Sequence, residues 1–135
     1  MLVDRRGTPL AVCLSGANVH DSQLFEPLLT AVVPVQGPCG RPRKRPKKLH
    51  ADKGYDYRKC RQALHRRAIK VRIARRGKDS RERLGGHRWV VERTLAWFNQ
   101  FRRLRIRYER RADIHLAFVV LGCALITFNA VNRFC

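Results

Sequence analysis

Apolar runs separated by turn residues open the chain. Leu2–Val3 and the run at 10–14 are apolar, and the polar segment between them contains Gly7 and Pro9. This pattern predicts an antiparallel hairpin over residues 1–15, with a first arm that is very short.

The remaining pattern alternates between strand and helix periods. Apolar residues at helical spacing follow Asp21 and Ser22, either of which can cap the helix, and this helix is predicted to end at Pro34. We then predict a strand, a basic helix, a strand, a polar loop and two long helices, at residues 48–51, 57–68, 70–74, 75–86, 87–108 and 112–133. A hairpin followed by strand, helix, strand and helix belongs to the α/β class.

Residues 37–48 interrupt this alternation. The segment combines three prolines and two glycines with a run of Lys and Arg, a composition that excludes regular structure. A nuclear-localisation signal has a similar composition, but a solvated loop that attracts phosphate is the favoured interpretation.

The composition adds a large excess of positive charge. The 135 residues include 30 Lys and Arg but only 10 Asp and Glu, and the 44% of hydrophobic residues suffice for a core. The net charge of +20 suits a polyanion, so nucleic acid is the expected partner. Five scattered cysteines without a CxxC pair fit neither a disulfide framework nor a zinc ribbon, and predict thiols in a reducing cytoplasm.

The apolar stretch at 114–130 needs a comparison with a membrane span. It contains His115, Thr127 and Asn129, and it is shorter than the roughly 20 apolar residues that a span requires. We therefore interpret it as a buried helix and expect no membrane partner.

Two carboxylates stand out among the few acidic residues. Asp52 follows a short apolar strand, where open α/β sheets bind ligands, although an Asx turn with Gly54 explains it equally well. Glu92 lies on the polar face of a helix whose other face is apolar. Taken alone, Glu92 is best explained as a surface ion pair with Arg88.

Several separated motifs change this balance. The segments "LVDRRGTPL", "SGANVHDS", "LHADKGYDYRKCRQAL", "RIARRG", "HRWVVERTLAWFNQFRRLRIRYERR" and "ADIHLAF" occur in order from residue 2 to residue 118. Together they resemble bacterial insertion-sequence transposases of the DDE class, the branch that includes the IS-four and IS-five groups. The resemblance covers essentially the whole chain.

The resemblance implies an RNase H-like fold in which two Asp and one Glu hold two divalent metals, Mg²⁺ or Mn²⁺. Asp52 matches the second Asp and Glu92 matches the Glu, with 39 residues between them. Arg88 also matches the family pattern Tyr-x2-Arg-x3-Glu-x6-Lys, whereas Gly85 and Asn99 replace its Tyr and Lys. The implied DNA contacts are made by Lys53, Arg88, Asn99, Arg102 and Arg103.

The family's first Asp has no counterpart here. It lies on the first strand, central in the family's sheet, and this chain is expected to start at the second strand. We therefore expect an incomplete RNase H-like fold over 1–135: a hairpin at 1–15, the basic loop at 37–48, a core at 49–111 that carries both carboxylates, and an apolar helix at 112–135. Seven further residues are interpreted as turn, capping, surface or structural groups: Asp4, Asp21, Asp56, Asp79, Asp113, His50 and His115. Since the His20–Asp21 pair also recurs in the family, a supporting role is the alternative for Asp21.

These expectations support a transposase segment that binds the element ends and target DNA, and that cleaves and joins DNA when upstream residues supply the first Asp. The upstream-frame product or the intact transposase is a further expected partner, in a homo-oligomeric active complex. The alternative is an inactive basic fragment that occupies element ends and inhibits the intact enzyme. Either protein belongs in the bacterial cytoplasm, associated with the nucleoid.

Overall fold

A computed structural model describes residues 1–77 and 81–132, and for 81–88 it describes the backbone alone. Within that part, four strands and five α-helices form: β1 (Leu2–Val3), β2 (Pro9–Ala11), α1 (Phe25–Thr30), β3 (Lys48–Ala51), α2 (Arg58–Arg66), β4 (Lys70–Ile73), α3 (Arg81–Phe98), α4 (Arg102–Arg105) and α5 (Ala112–Asn132). Two short 3₁₀ turns add Asp21–Gln23 and Lys53–Tyr55. The α/β class is confirmed.

The chain divides into two compact units. The first joins Met1–Leu14 to the residues from Trp89 onward, and the second is Ser15–Arg88. That all 135 residues belong to one catalytic domain stays a prediction.

The second unit is built on a parallel strand pair. β3 and β4 pair in parallel from Lys48↔Lys70 to Ala51↔Ile73, and α2 provides the crossover that parallel strands need. The buried side chains come from both strands, from α1 and from α2, where Leu64 is completely buried. Both predicted strands and the basic helix are confirmed, although α2 ends at Arg66 because Ala68 turns to a φ of 52°.

The hairpin of the first unit is also confirmed, since β1 and β2 pair antiparallel. Its turn depends on Gly7, which has a φ of +88°. A Cβ there would lie 2.7 Å from the hydroxyl of Thr94, and that buried hydroxyl donates a 2.8 Å hydrogen bond to the Gly7 carbonyl. Gly7 therefore serves both the backbone conformation and the close contact with α3.

Three boundary predictions were wrong. The first helix runs from Phe25 to Thr30, without a side-chain cap and short of the predicted end at Pro34. Asp21 and Ser22 lie instead in the preceding 3₁₀ turn, which His20 caps by accepting from the Ser22 amide. The predicted loop 75–86 becomes helical at Arg81, because two adjacent glycines weaken a helix without necessarily ending it. The helix predicted to reach 108 ends at Phe98, where the Asn99 amide bonds to the Ala96 carbonyl and closes a tighter turn.

Helix α5 was predicted to be buried, and this is only partly correct. Val119, Gly122 and Ile126 form its buried stripe, packed with Phe98, while much of the remaining apolar surface is exposed. Gly122 permits the close approach, since a Cβ there would lie 2.9 Å from both Leu104 and Phe98. By length and hydropathy alone, α5 could span a membrane. Only 11% of its most apolar 18-residue stretch is buried.

Neighbouring valines on α5 provide a test of this packing. Val119 is 8% exposed and Val120 is 50% exposed. We expect Val119→Ala to lower the free energy of unfolding by about 2 kcal/mol, because it leaves a cavity beside Phe98. The matched variant Val120→Ala should change it by less than about 0.5 kcal/mol. Urea denaturation measures both, and equal losses would contradict the one-sided packing.

Candidate functional site

Asp52 lies at the carboxyl end of β3. It is half-buried and has an extended backbone, and its carbonyl accepts the amide of Tyr55 to start the following 3₁₀ turn. Because β3 and β4 are parallel, both strands end at the same edge of the pair. Asp52 therefore occupies the edge at which open α/β sheets bind their ligands.

Asp56 fixes the two strand ends to each other. Its carboxylate accepts hydrogen bonds from Arg61, at 2.9 Å and 2.6 Å, and from the Arg76 amide at 2.9 Å. Arg61 in turn donates to the Ile73 carbonyl at the end of β4. The Arg76 amide and then Arg61 lower the pKa of Asp56 below its ordinary value. Asp56 was predicted to be a surface or capping residue, and it does end the 3₁₀ turn Lys53–Tyr55. The structure adds that its carboxylate links the two strand ends.

Asp21 lies on the same side of the second unit. The two 3₁₀ turns pack together, which places Asp21 near the turn that follows Asp52. Burial raises the pKa of Tyr55, and the negative charges of Asp21 and Asp52 raise it further. The sequence gives one signal for this neighbourhood, the His20–Asp21 pair in "SGANVHDS".

Glu92 lies on α3 in the first unit. Its exposed side chain lines an open groove of about 610 Å³, together with Asn99 and His115. The other walls are largely apolar and include Leu95, Phe98, Leu104 and Val119. The groove thus places a carboxylate, an amide and an imidazole against an apolar surface.

A second carboxylate of this unit, Glu109, was missed by the sequence analysis. Its side chain is 7% exposed and accepts a 3.1 Å hydrogen bond from Arg103. Nδ1 of His115 lies 3.8 Å from its second oxygen, so His115 does have an acidic neighbour. Five residues lie between Glu109 and His115, and no regular spacing in the sequence predicts the contact.

Comparison with known proteins now identifies the family. Residues 1–127 match the family described as "Transposase DDE domain". The chain belongs to this transposase family. It is 51% identical over 133 residues to a Burkholderia cepacia protein named "Putative transposase for insertion sequence element IS402". The alignment covers 98% of this chain and 63% of that protein, so the chain spans less than two thirds of its relative. No solved structure matches.

The transposase family implies a divalent metal, and the chain contains carboxylates of the type that bind such an ion. Asp52 and Glu92 offer carboxylate oxygens, which Mg²⁺ prefers. Asp52 belongs to the second unit and Glu92 to the first. Among the described residues, no group of three or more His, Cys, Asp or Glu side chains is arranged to hold a metal ion.

The residues predicted to contact DNA have different environments. Lys53 directly follows Asp52 and is exposed, and Asn99 shares the groove with Glu92. Arg102 is exposed on α4, whereas the neighbouring Arg103 forms the ion pair with Glu109. The side chain of Arg88 lies outside the described part. A role in DNA binding stays a prediction for all five.

The lowered pKa of Asp56 leads to a test by pH. A carboxyl with a lower pKa in the folded than in the unfolded protein stabilises the fold at neutral pH, and this contribution is lost as the pH falls through the folded pKa. We expect Asp56→Asn to be less stable than the unmodified chain at pH 7. The difference should shrink as the pH falls below about 4.

Thermal unfolding across this pH range measures the effect. Asp113→Asn is the comparison from an exposed ion pair, in which the hydrogen bond from Arg111 also lowers the pKa of Asp113. Its effect at pH 7 should be smaller, as expected for a surface ion pair. A difference between Asp56→Asn and the unmodified chain that does not depend on pH would contradict this assignment.

Proposed function

We propose that this chain is the segment of an insertion-sequence transposase that binds double-stranded DNA at the element ends and at the target. In this proposal Asp52 and Glu92 provide two of the carboxylates needed for cleavage and strand transfer. The observation that carries the proposal is the family match over residues 1–127, combined with the position of Asp52 at the carboxyl end of a parallel strand pair.

The proposed fold is an incomplete RNase H-like fold. Two separate two-stranded sheets are present in the described part, β1 with β2 and β3 with β4. A relative of which this chain spans 63% leaves room for the family's central strand and first Asp in the remainder of a longer protein. We propose that this remainder completes the sheet and the set of carboxylates.

Each carboxylate has a proposed task. Asp52 and Glu92 would hold Mg²⁺ or Mn²⁺, which when bound activates the attacking oxygen and stabilises the leaving oxygen of a phosphodiester. Lys53, which directly follows Asp52, and Arg102, on the helix that follows α3, are exposed and would bind the DNA backbone. Arg88 and Asn99 are assigned the same task from their positions in the family motif. Arg103 would have to exchange Glu109 for a phosphate.

The setting of this activity follows from the same proposal. The chain would act in the bacterial cytoplasm at the nucleoid, in a homo-oligomeric complex with the intact transposase or the upstream-frame product. A non-catalytic role is the second candidate, in which the fragment occupies element ends and inhibits the intact enzyme. The observation that supports this second role for the chain acting alone is that it spans 63% of its Burkholderia cepacia relative.

The proposed function first predicts that the chain binds DNA. The chain should bind a duplex carrying the element end, with an affinity that falls linearly with salt on logarithmic axes because counterions are released. The slope should be about −0.9 for each phosphate that is neutralised. Fluorescence anisotropy at several salt concentrations measures it. Failure to bind duplex DNA at low salt would contradict both candidate roles.

Cleavage separates the two roles. A longer protein that includes the proposed first Asp should nick element ends when Mg²⁺ is added and stop when the metal is chelated. Asp52→Asn and Glu92→Gln should each abolish nicking, because each removes a negatively charged ligand. Asp113→Asn, which changes an exposed carboxylate, should leave nicking intact.

Gel analysis of labelled DNA gives the rates. Undiminished nicking by either ligand variant would overturn the assignment of that residue. Metal-dependent nicking by the 135-residue chain alone would overturn the proposal that the set of carboxylates is incomplete.

A further inference from the structure

Three side chains from separate segments of the second unit meet at the hydroxyl of Tyr57. Tyr57 directly precedes α2, His20 precedes the first 3₁₀ turn, and Arg76 follows β4. Nε2 of His20 lies 3.2 Å from the hydroxyl, and Nη2 of Arg76 lies 3.1 Å from it. This cluster lies at the carboxyl end of the strand pair, since the Nε of Arg76 is 3.5 Å from the carbonyl of Lys53, beside Asp52.

The capping bond at His20 fixes the direction of these hydrogen bonds. The Ser22 amide donates to Nδ1 of His20 at 3.1 Å, so Nδ1 carries no hydrogen. In the neutral imidazole the hydrogen is then on Nε2, which donates to Tyr57. Arg76 is also a donor. Tyr57 thus accepts from both neighbours, and the described residues show no acceptor for its own O–H.

The guanidinium of Arg76 also differs from those of other arginines in the acceptors to which it donates. Its guanidinium donates to two neutral oxygens, the Tyr57 hydroxyl and the Lys53 carbonyl, and lies 4.9 Å from the centre of the Tyr57 ring. Asp56 binds the backbone amide of Arg76 and gives its side-chain ion pair to Arg61. Other arginines pair directly with carboxylates: Arg61, Arg66, Arg67, Arg103 and Arg111.

A hydroxyl donor beside a guanidinium suits an acceptor-only anion. We propose that Tyr57 and Arg76 bind one phosphate of the DNA backbone next to Asp52, with His20 as the positioning residue that orients the Tyr57 hydroxyl. The inference rests on the proposed function, because it supplies a DNA contact at the edge that carries Asp52. A phosphodiester has only acceptor oxygens here, and a charged partner strengthens the hydrogen bonds it accepts.

The surroundings favour a backbone phosphate over a free ion. Lys53, Arg58 and Lys59 are exposed around the cluster, and the ammonium of Lys59 lies 6.0 Å from the centre of the Tyr57 ring. Successive phosphates of one strand can use such a series of cations, whereas a single inorganic phosphate cannot.

Two pairs of variants test the site. Tyr57→Phe removes only the hydroxyl, and we expect it to weaken duplex binding roughly tenfold without changing the salt slope. Arg76→Gln should weaken binding and also make the salt slope shallower by about 0.9. Tyr108→Phe, at an exposed tyrosine, is the control for Tyr57→Phe because it removes the same hydroxyl. Arg75→Gln, at the exposed residue before Arg76, is the control for Arg76→Gln because it removes the same charge. Both controls should have smaller effects.

A direct readout uses the three tyrosines of the chain, labelled with ¹³C at the ring carbon that bears the hydroxyl. The Tyr57 resonance, assigned by its loss in Tyr57→Phe, should shift when duplex DNA is added. The same shift should weaken in His20→Ala, where the hydroxyl loses its orienting donor. Circular dichroism confirms that each variant is folded.

The outcomes separate the two levels of inference. If the chain binds DNA but Tyr57→Phe and Arg76→Gln behave like their controls, this site is overturned and the proposed function stands. A Tyr57 resonance that shifts with inorganic phosphate and not with DNA would overturn the assignment to a backbone phosphate. If no duplex binds at any salt concentration, the proposed function itself fails.

Discussion

The parallel pairing of β3 with β4 is the constraint on which the second unit depends. Parallel strands need a crossover, and α2 supplies it while burying Leu64 completely. The pairing also brings two otherwise distant chain segments, those after Ala51 and after Ile73, to one edge. Asp52, Asp56 and the Tyr57 cluster all belong to that edge, so both the proposed ligand and the proposed phosphate site follow from a single pairing.

Scarcity of negative charge gives each carboxylate a larger structural role. In a chain with 30 basic and 10 acidic side chains, a carboxylate placed among strand ends attracts several donors. Asp56 accepts hydrogen bonds from the Arg76 amide and from Arg61. Glu109 pairs with Arg103 and lies near His115. These contacts hold loops in place. The proposed function assigns the excess of cations to the binding of a polyanion.

The first unit shows how far an amphipathic pattern predicts packing. The apolar face predicted for the helix at 87–108 includes Thr94 and Phe98 by their helical spacing, and both are buried. Tyr108 belongs to the same predicted face, yet it is exposed, because the helix ends at Phe98 and the face is not continued. The uniformly apolar α5 carries no periodic signal that tells which side is buried. Gly122 and its contact with Phe98 decide that.

The sequence by itself determined the α/β class, the hairpin, both strands of the parallel pair and the family, because local periodicity and ordered motifs are properties of the chain. It also marked Asp52 and Glu92 as candidates. Tertiary structure alone decided that Asp56 joins two strand ends and that Tyr57 meets both His20 and Arg76. These contacts join residues about 20 or more positions apart. Their partners are chosen by strand pairing and turn packing, which no local pattern contains.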